Sequence, residues 1–126
     1  MAGDADRLTI PALLRSAPGT TQQPALIAYT ATGPVTIERH RLLAMAEAHV
    51  QALRDAGIDH GDRVLIQAPN GVEWIVIALA TLMHGAVLVP VDAQMGRDDL
   101  AHVIADADPA RIYITRALRP ALPETP

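Results

Sequence analysis

The sequence predicts an α/β fold: an N-terminal β-hairpin followed by α-β-α-β-α-β with a mainly parallel sheet. Two observations carry this. Short β-branched runs, RVLIQA (63–68), AVLVPVD (86–92) and RIYIT (111–115), alternate with helical stretches long enough for crossovers. Upstream, ALIAYT (25–30) and PVTI (34–37) flank the turn ATG (31–33), a hairpin pattern. Strands that alternate with helices argue for a parallel sheet with right-handed crossovers.

Taken in order, residues 1–7 read as frayed. Thr9 can cap a short helix through about Ala17, with Pro11 tolerated in its first turn. Pro18-Gly19 ends it, and TTQQP makes a loop before the hairpin. The next helix is predicted to begin at Thr36 or Ile37, with Glu38 in its first turn suiting the dipole. Leu43, Ala46, Val50 and Leu53 form its apolar stripe. Gly57 reads as a left-handed stop and Ile58 as the apolar residue that follows.

DHGD (59–62) turns the chain into the first parallel strand. Asn70 and Glu73 give N-x-x-E, a capping-box-like start. The helix over 73–84 is apolar on every side, with Ile75, Val76, Ile77, Leu79, Leu82 and Met83 spread around it, and such a helix is normally buried from several directions. A domain this small seldom covers it completely, which points to partner structure. After AVLVPVD and the turn AQMG, Leu100, Val103, Ile104 and Ala107 keep helical spacing, with Asp98 and Asp99 in the first turn. Pro109 lies just beyond.

Three regions result: 1–23, an N-terminal helix and loop; 24–116, the α/β unit; and 117–126, a Pro-rich tail or truncation point.

The 126 residues amount to one domain. Half are hydrophobic, but aromatics are 2% and Phe is absent, so the core is aliphatic. All ten basic residues are Arg, and the net charge of −4 gives no footprint for nucleic acid. Without cysteine there is no disulfide frame and no thiolate nucleophile. The acidic N-terminus has no signal-peptide pattern. The uncharged stretch from Trp74 to Val91 is broken by His84, Gly85 and Pro90, so no transmembrane segment is expected. The expected location is cytoplasmic.

Each polar candidate has a structural explanation. His40, His49, His60, His84 and His102 show no ligand-like i, i+4 pair, and His84 suits a helix C-terminus. Pro90 and Asp92 sit at a strand's carboxyl edge, where α/β proteins place ligands. Asp106 and Asp108 close a helix and read as solvated. No catalytic, cofactor-binding or metal-ligating residue is assigned.

GDRV (61–64), PNGVEW (69–74), LMHGAVLVPVD (82–92) and DLAHVIADADPARIYIT (99–115), in this order after a hairpin, resemble the opening of the AMP-forming adenylate-forming ligases. These include acyl-CoA synthetases, peptide-synthetase adenylation domains and luciferases. The resemblance covers roughly residues 24–115. It departs at Ile37, where the family has Tyr, at His84 for Lys or Arg, and at Ala93 for Pro. It implies a larger ligase N-terminal domain and a two-step reaction: ATP activates a carboxylate as an acyl-adenylate with loss of pyrophosphate, then a thiol such as CoA takes the acyl group. A fatty or other hydrophobic acid is expected.

In the family the phosphate loop, the Mg-associated Glu, the ribose-binding Asp and the acylation Lys all come later in the chain. With no lysine here, the isolated chain is expected to be inactive. ATP, Mg and CoA are implied for the full-length family alone. Gly19-Thr20-Thr21-Gln22-Gln23-Pro24 imitates the phosphate loop, but Gln22 replaces a Gly and Ala25 the Lys. Tyr29 to Gly33 imitates its start and reads as a hairpin turn. The expected partner is the remainder of the ligase or another subunit, with self-association through exposed apolar surface. The rival reading is a non-enzymatic α/β module that binds a ligand or docks on a partner.

Overall fold

A computed structural model describes residues 9–16, 19 and 22–116. The expected frayed start (1–7), Ala17 and Pro18, and the tail 117–126 lie outside the described residues. Helix α1 (Ile10–Ser16) begins as expected, with the Ala12 N–H donating to Thr9 Oγ1 at 3.2 Å. Strands β1 (Pro24–Thr30) and β2 (Gly33–Glu38) pair antiparallel, joined by Ala31 and Thr32. Gly33 takes the positive φ of 120° that the turn needs. Next come α2 (Arg39–Asp55), β3 (Arg63–Gln67), α3 (Val72–His84), β4 (Val87–Pro90), α4 (Arg97–Ala107) and β5 (Arg111–Ile114). The three later strands form one parallel sheet in the order β4-β3-β5.

Three expectations are corrected. Helix α2 starts at Arg39, because Thr36 and Ile37 are engaged in the hairpin opposite Ile27 and Leu26, and Ile37 is buried. Pairing and burial of β-branched residues outweigh the helical reading of the stretch. The stripe of α2 is accordingly Leu42, Ala46, Val50 and Leu53, with Leu43 only half-buried. At α3 the N-cap is the extended Gly71, with no side-chain cap hydrogen bond, so Asn70 and Glu73 form no capping box.

The stop of α2 is as read. Gly57 has φ 78°, its N–H donates to Arg54 O at 2.9 Å, and the Ile58 N–H reaches back to Leu53 O at 3.0 Å. This is the Schellman pattern, with Ile58 buried behind it. Gly85 repeats it after α3, at φ 87°, with the Ala86 N–H on Thr81 O. After α4, Asp108 takes the left-handed role at φ 46°.

The core has two centres. Val50, Leu53, Ile58, Val64, Ala80 and Ala86 join α2 and α3 to the sheet, with Met83 and Tyr113 against them. Ile37, Leu42 and Val76 hold the hairpin onto the same helices, with Leu26, Met45 and Leu79 beside them. Val64, Leu65, Ile66 and Gln67 of β3 are all 0% exposed, so both faces of the central strand are covered. Burial of each large aliphatic side chain contributes about 1.5–3 kcal/mol. The right-handed rule sends β3-α3-β4 and the return β4-α4-β5 to opposite faces. Alternation turns Leu65 and Gln67 away from Val64 and Ile66, and Leu100 of α4 is fully buried.

Helix α3 is less enclosed than its sequence demands. Only Val76, Ala78, Ala80 and Thr81 are buried; Trp74, Ile75, Ile77, Leu79, Leu82 and Met83 remain partly exposed.

The two left-handed glycines yield a test. Gly57→Ala meets no atom within 4 Å, so its cost is backbone strain alone. Gly85→Ala would also press on the His60 ring, which lies on the surface and can turn aside. Each substitution is expected to lower stability by about 1–2 kcal/mol in urea unfolding. No change in either would remove these caps from the account.

Candidate functional site

Open α/β sheets place ligands at the carboxyl ends of strands, where successive connections leave for opposite faces. Here that point lies between β3 and β4. Gln67, the last residue of β3, fills it: its Nε2 donates to Asp92 O and to Met95 O, both at 3.1 Å. One buried amide thus ties the central strand to the β4–α4 turn. The turn is further set by the Gln94 N–H on Asp92 Oδ1 at 2.8 Å and the Met95 N–H on Asp92 O at 3.0 Å. Asp92 is therefore a turn-forming carboxylate. Gln67 Oε1 and Thr115 Oγ1 are buried and find no hydrogen-bond partner among the described residues.

Above this plug lies a bowl of about 450 Å³, lined among others by Asn70, Trp74, Asp92 and Gln94. Its charged lining group is the carboxylate of Asp92, which repels phosphate. No Lys or Arg is among the residues that line the bowl, so its lining supplies no cation to neutralise a phosphate.

A second concavity runs over α3. One part, about 260 Å³, is lined by Met45, His49, Val72, Glu73, Val76 and Ile77. The other, about 160 Å³, shares Glu73 and Ile77 and continues past Ile66 and Trp74 to Tyr113, Ile114 and Thr115. The result is an apolar trough between α2 and β5 with Glu73 as its acidic rim.

Beside it, His49 Nε2 lies 3.0 Å from the Tyr113 hydroxyl, with the rings tilted and 5.2 Å apart. The Arg111 guanidinium sits 5.6 Å from the centre of the Tyr113 ring. Burial first, and the Arg111 charge second, push the His49 imidazole below its ordinary value of 6.5. This cluster ties α2 to β5.

The remaining sequence candidates are spread out. His84 Nε2 donates to Ile58 O at 2.6 Å, an alternative to the dipole role expected for it. His40 lies 3.3 Å from Glu38 on the surface. Asn70, Asp98, Asp99, Asp106 and His102 are exposed. Of the two phosphate-loop look-alikes, Thr20 and Thr21 lie outside the described residues; Gln23 O accepts the Arg39 N–H at 2.9 Å, and Tyr29 to Gly33 forms the hairpin end. Gln67 and the His49–Tyr113 pair escaped the sequence reading. A glutamine ending the buried run RVLIQ, and a histidine four residues before Leu53 on the α2 stripe, are the signals that were available.

Two outcomes follow. Gln67→Glu would set a buried carboxylate against two carbonyl oxygens, costing about 3–5 kcal/mol at neutral pH; Gln67→Met, which also removes the unpaired oxygen, should cost clearly less in the same urea titration. Because His49 is depressed when folded, the unfolded chain binds more protons below pH 6.5. Stability should hold above that pH and fall as pH drops through 6.5 toward the folded value, and His49→Phe should flatten that limb. An unchanged acid limb in the variant would contradict the assignment.

The sequence profile of the AMP-binding enzyme family matches residues 13–125. The chain is 30% identical over 87 residues to a 2-hydroxy-7-methoxy-5-methyl-1-naphthoate–CoA ligase from Streptomyces carzinostaticus, a match covering 69% of this chain and 16% of that protein. The fold superposes with a TM-score of 0.77 on apo MatB from Rhodopseudomonas palustris, at 29% identity, covering 87% of this chain and 21% of that one. A Mycobacterium tuberculosis fatty acyl CoA synthetase gives a TM-score of 0.77 at 26% identity, covering 92% and 23%. The chain thus spans less than a quarter of each of these proteins. With the profile match over most of its length and the hairpin and parallel sheet of the ligase N-terminal domain, the chain belongs to the AMP-binding enzyme family.

Proposed function

We propose that the chain is the N-terminal part of an ATP-dependent, AMP-forming acid–thiol ligase that activates a fatty, aryl or other hydrophobic carboxylic acid, and that alone it does not catalyse. The observation that carries this is the family match over residues 13–125 in a sequence with no lysine. The extent supports it too, since the match amounts to 16% of that CoA ligase's length. The two relatives' names, one an aryl acid and one a fatty acyl group, support a hydrophobic carboxylate.

No step of the reaction is assigned to the described residues. Their contribution is structural: β3 and α3 form the core on which the rest of the enzyme is laid. Regions 1–23, 24–116 and 117–126 then correspond to lead-in, packed unit and connector. Cytoplasmic location belongs to the same proposal, because ATP and CoA are cytoplasmic co-substrates. No described helix is long and apolar enough to cross a membrane.

The test is pyrophosphate exchange into ATP with a panel of aryl and fatty acids. The isolated chain should give none, and calorimetry should detect no binding of ATP or AMP. Placed in frame for the matching stretch of R. palustris MatB, it should support acyl-adenylate formation. Tight nucleotide binding by the isolated chain would instead favour a stand-alone ligand-binding module.

A further inference from the structure

Helices α1 and α2 each carry an arginine in the last turn, Arg15 and Arg54, where a cation suits the helix dipole. The fold brings both to one concavity of about 280 Å³, whose remaining lining is Glu47, Val50 and Met83. Arg54, Val50 and Glu47 stand on one face of α2, and seven residues place Glu47 about 10 Å along the axis from Arg54. Val50 is buried and Met83 half-buried, so the concavity has apolar wall beside its charged groups. Among the described residues no carboxylate lies within ion-pairing distance of Arg15 or Arg54.

Two cations against one carboxylate leave a positive excess in this space. The chemistry of the excess selects the anion. A guanidinium presents a planar fork of donors. The two oxygens of a carboxylate satisfy one such fork, whereas a tetrahedral phosphate can accept from two forks that approach from different helices. Helix α1 would gain most from such a bridge. None of its residues is buried, and Ile10 and Leu13 are 54% and 52% exposed, so little apolar burial holds it in place.

We propose that the concavity between α1 and α2 binds a phosphate group through Arg15 and Arg54, and that the bound anion clips the N-terminal helix to the core. Its lining shares no residue with the bowl or the trough, and the inference does not rest on the ligase reading. Both arginines are exposed, so the expected affinity is on the order of 1 mM at low salt. That is far short of the tight nucleotide binding that would favour a stand-alone module.

Titration of the 126-residue chain with inorganic phosphate, glycerol phosphate or acetate tests this by NMR at the Nε–H signals of Arg15 and Arg54. Phosphate should move both signals along one saturable isotherm, and acetate at equal ionic strength should not. Arg15→Gln and Arg54→Gln should each weaken binding by about tenfold or more. Glu47→Gln removes the opposing charge and should tighten it by about threefold. Added salt should weaken it throughout. The clip has its own readout in the Leu13 amide, which donates to Thr9 O within α1. At about ten times the Kd this amide should exchange about tenfold more slowly. In Arg54→Gln, which leaves α1 itself intact, phosphate should not slow it.

An equal response to acetate, or unchanged affinity in both arginine variants, would overturn the site. Saturable binding with no change at Leu13 would overturn the clip. A tighter isotherm for glycerol phosphate would support the site and identify an organic monoester as its ligand; equal isotherms would support it with the phosphate group alone as the recognised element.

Discussion

Everything in the fold depends on one strand being buried on both faces. Four consecutive residues of β3, Val64 to Gln67, are fully inaccessible, and each face needs its own cover. The order β4-β3-β5 meets that need, because the chain crosses to one side of β3 and returns to the other. Helices α2 and α3 then share a face with Val64 and Ile66, and the hairpin clamps their far ends through Ile37 and Leu42.

Much of this was legible because the signals are local. Glycines at 57 and 85 ending helices, β-branched runs and the hairpin turn each depend on a few neighbouring residues, and each stands where it was read. The start of α2 was misread because nothing local distinguishes Thr36-Ile37 as a helix start from the same pair as a strand end; their hairpin partners Ile27 and Leu26, nine and eleven residues earlier, decide it. The capping box failed for a related reason. Gly71 adopts an extended conformation at the N-cap, which displaces Asn70 from that role. Gln67 was passed over because a single amide in an apolar run carries no sign of its two acceptors, 25 and 28 residues further on.

The carboxyl end of the sheet shows how a position where α/β proteins place ligands becomes structural. Gln67 occupies the switch point, Asp92 shapes a turn, and the one charged group facing the bowl has the wrong sign for phosphate. What stays open is the apolar trough over α3. Membership of the AMP-binding enzyme family gives that surface a meaning, since its solved members carry far more chain than this one. Under the function proposed above, the partly exposed apolar helix α3 would be an interior element seen without its cover.

The central claim, that the α3 trough is open in this chain, is tested most directly by acrylamide quenching of its one tryptophan, Trp74, which lines the trough. The account predicts red-shifted, readily quenched emission from the isolated chain. Blue-shifted emission shielded from acrylamide in a monomer would contradict it.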